Sequence, residues 1–342
     1  MKPSLLGMTL PELEQAAVDC SLKPFVGRQL ADWMYSKRVG SWDGMRNISN
    51  AAKQALSEKY ELGTAAPVGM AESSDGTRKY LFEPGIEAVM IPDAERKTLC
   101  VSSQVGCKMG CRFCMTGRQG WHGNLSAAAI LNQFLSIEGA SDLTNAVFMG
   151  MGEPLDNYRE VSRAIDVLTS GWGFGWSPKR ITLSTVGVIP ELRKYLDESK
   201  CHLAVSLHNP IPGERLQFMP VQKAWPLEDV VDLVRKYDFS GQRRVSFEYT
   251  MFAGWNDDKA HADALVRLLR GLECRVNLIR FHKIPDFPYD SSPEAVMEAF
   301  RERLNSNGIV CTIRSSRGED ILAACGLLAG QCGRRNTGKT DE

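Results

Sequence analysis

From about Lys97 onward the chain alternates short β-rich runs with amphipathic helical stretches, and no other feature restricts its fold as tightly. The runs at 98–103, 146–149, 180–184, 203–207, 245–250 and 275–281 are rich in β-branched and apolar residues. The stretches at 126–137, 158–168, 190–196, 226–237, 257–269 and 293–304 carry helical periodicity, with Ser126 as N-cap and Pro190 near a helix start. Strands that alternate with helices imply a parallel sheet with right-handed crossovers. Six such units fit an open doubly wound sheet or a partial (β/α)6 barrel, and periodicity does not choose between them. Residues 1–90 read differently. Helices are expected at 10–17, 24–34 and 51–60, then a turn at Ser73-Ser74-Asp75-Gly76 and strands at 79–82 and 86–91. The expected organisation is α/β: a small N-terminal helical domain with a short β extension over 1–90, a strand–helix unit over 91–330, and a flexible polar tail over 331–342.

The 342 residues are 43% hydrophobic, enough for a large core, and 41 basic residues balance 41 acidic ones. That balance argues against a strongly basic nucleic-acid-binding domain, so any RNA contact must come from basic residues gathered on one face. The first residues lack the apolar run of a secretory signal, and no segment approaches the ~20 apolar residues of a membrane span. A cytoplasmic protein without membrane association is expected. In a reducing compartment its ten cysteines are not a disulfide framework. Scattered ones such as Cys20, Cys201, Cys274 and Cys311 read as small buried apolar residues.

The clustered ones carry chemistry. Cys107-Lys-Met-Gly-Cys111-Arg-Phe-Cys114 places three thiols in one loop just after the first strand of the repeat. Thiolates hold cubane iron–sulfur clusters, and three of them leave one iron with an open position for an amine and a carboxylate. A zinc site with His122 as fourth ligand, or a redox Cys-x-x-Cys, would use the same residues.

Four further groups share a placement. Gly150-Met-Gly152-Glu153-Pro154 follows the second strand, Ser184-Thr-Val-Gly187 the third, Ser206-Leu207-His208 the fourth and Phe281-His282 the sixth. Singly, each reads as an ordinary turn, cap or loop. Together they mark the C-terminal ends of the strands, where βα barrels and open parallel sheets build their sites.

The cysteine spacing resembles the signature of the radical S-adenosylmethionine (SAM) superfamily. Cys100-Val-Ser-Ser-Gln-Val-Gly-Cys107, the motifs at 150–154, 184–187 and 206–208, and Arg317-Gly-Glu-Asp-Ile-Leu-Ala-Ala-Cys325-Gly are similar to the RlmN/Cfr family of adenine methyltransferases. The resemblance implies a partial (β/α)6 radical SAM barrel with one [4Fe–4S] cluster on Cys107, Cys111 and Cys114. It places SAM at Gly152, Glu153, Ser184, Ser206, Leu207 and His208, with His282 where the family often has Asn. Cys325 would carry the methyl group, Cys100 would form a disulfide with it, and Glu87 would accept the proton.

The implied chemistry consumes two SAM molecules: one methylates Cys325, the other yields a 5′-deoxyadenosyl radical that takes hydrogen from the S-methyl group. Radical chemistry is needed because adenine carbons 2 and 8 are electrophilic and an ordinary SAM methyl is also electrophilic. The substrates implied are 23S rRNA and tRNA, with a reductase or flavodoxin-type electron donor and a monomeric enzyme. RlmN-type members methylate carbon 2. Cfr-type members methylate carbon 8 and tend to have a cysteine where this chain has Val105. A zinc-dependent RNA-binding module is the non-enzymatic alternative. Arg112, Arg118, Arg243, Arg244, Arg314 and Arg317 are expected near rim loops, where they could hold RNA backbone, and the N-terminal helices are a candidate for further RNA contact.

Overall fold

A computed structural model describes residues 2–330, so the tail expected at 331–342 lies outside the described residues. Among the described residues twelve strands occur: β1 (Gly69–Glu72), β2 (Arg78–Phe82), β3 (Ile86–Asp93), β4 (Arg96–Cys100), β5 (Gln104–Gly106), β6 (Trp121–Asn124), β7 (Asn145–Phe148), β8 (Ile181–Thr185), β9 (His202–Ser206), β10 (Val245–Met251), β11 (Arg275–Arg280) and β12 (Val310–Ile313). Ten form one sheet in the order β1-β2-β3-β4-β7-β8-β9-β10-β11-β12, while β5 and β6 form a separate antiparallel hairpin. Pairing is antiparallel from β1 to β4 and parallel from β4 to β12.

This order decides between the two architectures left open by the sequence. A doubly wound sheet reverses its strand order at a switch point. Here every parallel strand lies beside its predecessor, as in a barrel. The outer edge of β4 is taken by antiparallel β3, with Val89 opposite Cys100, so the barrel stays open at that edge. The protein is thus a partial (β/α)6 barrel with one additional strand, β12.

The interior strands are buried in near-continuous runs. In β8 and β10 all but one residue is buried, as expected for strands covered on both faces. Helices Ala127–Leu135, Tyr158–Thr169, Ile189–Glu198, Leu227–Val234, Lys259–Leu269 and Glu294–Ser306 supply the crossovers. Ser126 caps the first, accepting a hydrogen bond from the Ala129 amide at 3.2 Å.

At the N-terminus, helix Leu10–Asp19 begins with a Thr9/Glu12 capping box, and Glu12 also pairs at 2.6 Å with Arg163 on a barrel helix. The helix expected at 24–34 is Phe25–Ala31 continued as a wider π turn, Asp32–Ser36. The wider turn carries Tyr35 inward, where its hydroxyl donates to Met8 O and accepts from the Gly7 amide. Its ring packs against Trp172 and Phe174 of the barrel. These helices therefore share one buried apolar cluster with the sheet, from Leu5, Leu13 and Leu30 through to Leu203 and Phe247. No described helix is long and apolar enough to cross a membrane.

Candidate active site

Gly106 and Gly120 shape the cysteine loop. Gly106 has φ +73°, and a Cβ there would lie 1.9 Å from Gly120 O, so only glycine closes the β5–β6 hairpin this tightly. That closure seats Cys107, whose amide donates to Gly120 O at 2.8 Å. The chain then turns through Cys111 into the short helix Met115–Arg118, with the Cys114 amide bonded to Cys111 O.

All three cysteines line one cavity at the C-terminal ends of the strands. Gly152, Glu153, Ser184, Ser206 and His208 line it with them, as does Cys325. Burial pushes the Cys107 thiol up to about 12 and raises Cys111 and Cys114 as well. Three thiols in a dry pocket thus stay protonated unless a metal draws off their protons.

Three cysteine thiols lining one cavity are the donor type that holds an iron–sulfur cluster. Among the described residues no three His, Cys, Asp or Glu side chains are arranged to hold one metal ion. A cubane presents a separate iron to each thiolate, so its ligands spread along a wall. His122 does not line the cavity; it is exposed, with Nε2 3.2 Å from Gln119 O.

Glu153 binds two strand ends together. Its Oε1 accepts from Thr185 Oγ1 at 2.6 Å and the Leu155 amide at 3.1 Å, and its Oε2 from the Val186 amide at 2.9 Å. Burial nonetheless raises its carboxyl to about 7, so a cation arriving in the cavity would find a group ready to ionise against it. His208 sits in the left-handed region, φ +57°, with Nδ1 accepting from the Thr250 amide. That bond puts the neutral ring's proton on Nε2, and burial lowers its pKa to about 3.

Glu248 also lines the cavity, a residue that no sequence motif singles out. Its Oε1 accepts from Ser246 Oγ and Asn277 Nδ2, whereas buried Oε2 has no hydrogen bond and lies 3.8 Å from Arg314 Nη1. An unsatisfied buried oxygen beside an apolar wall is a place for a ligand donor. The one sequence signal is a lone carboxylate within the apolar run of β10.

Cys325 lines a second, outer cavity as well, together with Cys114 and Gly326. This outer cavity contains Cys100, His282, Arg96, Arg280, Arg314 and Arg317. Cys325 is exposed, and it therefore stands between the cysteine pocket and a basic vestibule. Among the described residues no disulfide is present. Cys100 is pushed up to about 12, by burial first and by the neighbouring Cys325 charge second.

The segment around Cys325 is tied on both sides. Gly326 O accepts from the Met115 amide, Leu328 O from Thr116 Oγ1 and Ala329 O from Gln119 Nε2. On the other side Glu87 Oε2 accepts from the Ala329 and Gly330 amides at 2.8 and 3.0 Å.

Several expected positions come out differently. Glu87 lines neither cavity; it is fully buried, with Oε1 2.9 Å from Lys79 Nζ. Leu207 is packed inside and does not line the cavity. His282 faces the outer cavity and Glu319, at 3.3 Å, and the inner cavity lacks it. Arg243 and Arg244 precede β10 and lie at the opposite end of the barrel; Arg243 donates to the carbonyls of Tyr195, Leu196 and Cys201. Arg118 bonds Pro285 O, and Arg314 and Arg317 remain at the vestibule.

The architecture and the cysteine loop match known proteins. The radical SAM superfamily profile matches residues 101–265, and that of the ribosomal RNA large subunit methyltransferase N-terminal domain matches residues 4–62. A probable dual-specificity RNA methyltransferase RlmN of Porphyromonas gingivalis is 58% identical over 329 residues, 95% of this chain and 96% of that protein. The chain belongs to the RlmN family. The dual-specificity RNA methyltransferase RlmN of Syntrophus aciditrophicus is 40% identical across 95% of each chain. A radical SAM methyltransferase crystal structure from Sphaerobacter thermophilus superposes with a TM-score of 0.91 at 36% identity, covering 96% of this chain and all of that one. The RlmN-family assignment accounts for both halves of the chain, the N-terminal helices and the barrel alike.

Proposed function

We propose that this chain is a SAM-dependent methyltransferase of RNA that modifies carbon 2 of adenine in 23S rRNA and in tRNA, through a methyl group carried on Cys325. The observation that carries this reading is the position of Cys325 at the junction of the cysteine pocket and the basic vestibule. A residue there faces the SAM-side chemistry and the RNA base alike.

Cys107, Cys111 and Cys114 would hold a [4Fe–4S] cluster, one per chain. When bound, the cluster supplies the electron that cleaves SAM. Glu153 offers its carboxylate to the SAM ammonium, and Ser184, Ser206 and His208 offer hydroxyls and an Nε2–H for its polar groups. Cys325 is held in reach of this pocket by the bonds from Met115, Thr116 and Gln119. Cys100, across the vestibule, is the partner for a disulfide with Cys325 at product release, which cellular thiols would reduce. The target base must leave its stack to reach Cys325, and Arg314 and Arg317 supply cations for the flanking phosphates.

Glu87 keeps the role of proton acceptor only if the Ala329 and Gly330 amides release Oε2. His282, facing the vestibule, fits RNA contact better than SAM contact. The boundaries proposed are an N-terminal unit to about residue 90, open to RNA contact, and a catalytic unit over 91–330. A cytosolic, monomeric enzyme served by a flavodoxin-type donor completes the reading.

Iron, sulfide and zinc in anaerobically reconstituted protein test it. Wild type is expected to hold about four irons and four sulfides, and the Cys107→Ala/Cys111→Ala/Cys114→Ala variant none. Stoichiometric zinc without iron would overturn the radical reading and favour a zinc-dependent RNA-binding module.

A further inference from the structure

Arg215 is 1% exposed, yet none of its hydrogen bonds goes to a carboxylate. Nε donates to Leu207 O at 3.0 Å, Nη2 to Ser206 O at 3.0 Å and Nη1 to Gln222 Oε1 at 2.6 Å. Three neutral oxygens satisfy its geometry, and no carboxylate accepts a hydrogen bond from it. Burying an unpaired cation is strongly unfavourable, and bracing two carbonyls does not require a cation. The anionic neighbours acting on it are Cys111 first and Glu228 second. The helix that carries Arg215, Pro212–Phe218, also meets the cysteine loop directly, where the Arg112 amide donates to Phe218 O at 2.9 Å.

We propose that Arg215 is the buried counter-cation of the iron–sulfur cluster and raises its reduction potential. The inference rests on the cluster reading above. Binding as a thiolate gives Cys111 a negative charge near Arg215, and reduction of the cluster by one electron adds another. A fixed cation in a low-dielectric wall stabilises the more negative, reduced form over the oxidised one. The same guanidinium holds the Ser206 and Leu207 carbonyls, so the charge is locked behind Ser206, a residue of the pocket wall, and cannot swing into solvent.

Gln222 offers a way to remove the net charge without removing the side chain. Its Oε1 accepts from Arg215 Nη1 and from the Leu227 amide at 3.1 Å. Gln222→Glu keeps both acceptor bonds and turns the cation into half of an ion pair. Arg215→Lys does the opposite, keeping the charge while breaking the fork that holds the carbonyls.

The experiment is a redox titration of full-length, anaerobically reconstituted protein followed by the electron paramagnetic resonance of the reduced cluster, with iron and sulfide counted in each sample. Arg215→Gln and Gln222→Glu are both expected to move the midpoint to more negative potential. The ratio of reduced to oxidised cluster at a fixed potential should fall about tenfold, which is 59 mV for one electron. Arg215→Lys is expected to keep the midpoint near wild type while lowering thermal stability. A fully loaded Arg215→Gln or Gln222→Glu protein with the wild-type midpoint would overturn the counter-cation role and leave Arg215 a structural brace. If Arg215→Gln does not load, Gln222→Glu decides alone. Wild-type protein that takes up no iron would instead overturn the cluster reading, a distinguishable failure.

Discussion

Glu87 Oε1 lies 2.9 Å from Lys79 Nζ inside the sheet, with the two side chains 0% and 3% exposed. Leu81 faces Glu87 across the β2–β3 register, so this pair joins neighbouring strands just behind the Cys325 segment. Lys79 also donates to Leu322 O at 3.3 Å, and Glu87 holds the Ala329 and Gly330 amides. Both partners thus grip the segment that carries Cys325. Removing one member of a buried ion pair strands the other. Lys79→Met is expected to lower unfolding free energy by roughly 3–5 kcal/mol, measured by urea denaturation. Lys79→Met/Glu87→Met should recover much of that loss, because no lone charge remains.

Glu248 should matter for SAM and little for the fold. Its Oε1 bonds to Ser246 and Asn277 would survive in Glu248→Gln if the amide oxygen takes that position, while Oε2, which has no hydrogen bond and lies 3.8 Å from Arg314 Nη1, is replaced by a donor. SAM binding to the reconstituted variant, followed by calorimetry, is expected to weaken roughly tenfold, about 1.4 kcal/mol. The thermal midpoint should stay near wild type. Unchanged SAM affinity would remove Glu248 from the site.

The Glu153 carboxyl gives a pH signature in cluster-free protein. Its folded pKa, about 7, lies above the ordinary 4.5. Between these values the folded state binds more protons than the unfolded state, so this group's contribution to stability falls as pH rises through the window. Glu153→Gln lacks that slope. Its stability relative to wild type should therefore improve between pH 5 and pH 8, by at most about 3 kcal/mol, measured by urea denaturation at each pH. A difference independent of pH would contradict the buried, ligand-seeking carboxyl.

Much of this arrangement is legible in the sequence, for identifiable reasons. Strand–helix alternation survives there because each strand is buried on both faces and each helix on one. The rim position of Ser184, Ser206 and His208 follows from where the apolar runs stop. The parallel order, and with it the barrel, needs the pairing partners. Glu87 resembles a solvated strand residue in sequence because its partner Lys79 lies across a strand pair and its other partners are more than 240 residues away. Arg215 carries no signal, since a guanidinium in a helix such as Pro212–Phe218 usually faces water. Strands β5 and β6 are three and four residues long and depend on glycines at the bulge, too short for a period-two pattern. Arg243 and Arg244 look like rim residues in sequence because a loop before a strand and a loop after one have the same polar composition.

Arg243 and the vestibule arginines should separate experimentally. Arg243→Ala removes three carbonyl bonds at the far end of the barrel and should cost about 1–3 kcal/mol of stability with RNA affinity unchanged. Arg314→Ala/Arg317→Ala should instead weaken RNA binding and make the salt dependence of the binding constant shallower, by about one in the log–log slope for each phosphate no longer neutralised. Binding titrations across a range of salt concentrations check both. Equal effects from the two variants would argue against the vestibule as the RNA entrance.

The most direct test is mass spectrometry of nucleosides from 23S rRNA and tRNA transcripts incubated with reconstituted enzyme, SAM and a low-potential reductant, in wild type and Cys325→Ala. The expected result is 2-methyladenosine with wild type and no methylated adenosine with Cys325→Ala. Formation of 8-methyladenosine would contradict the carbon-2 assignment, and methylation that survives Cys325→Ala would contradict the methyl-carrying cysteine itself.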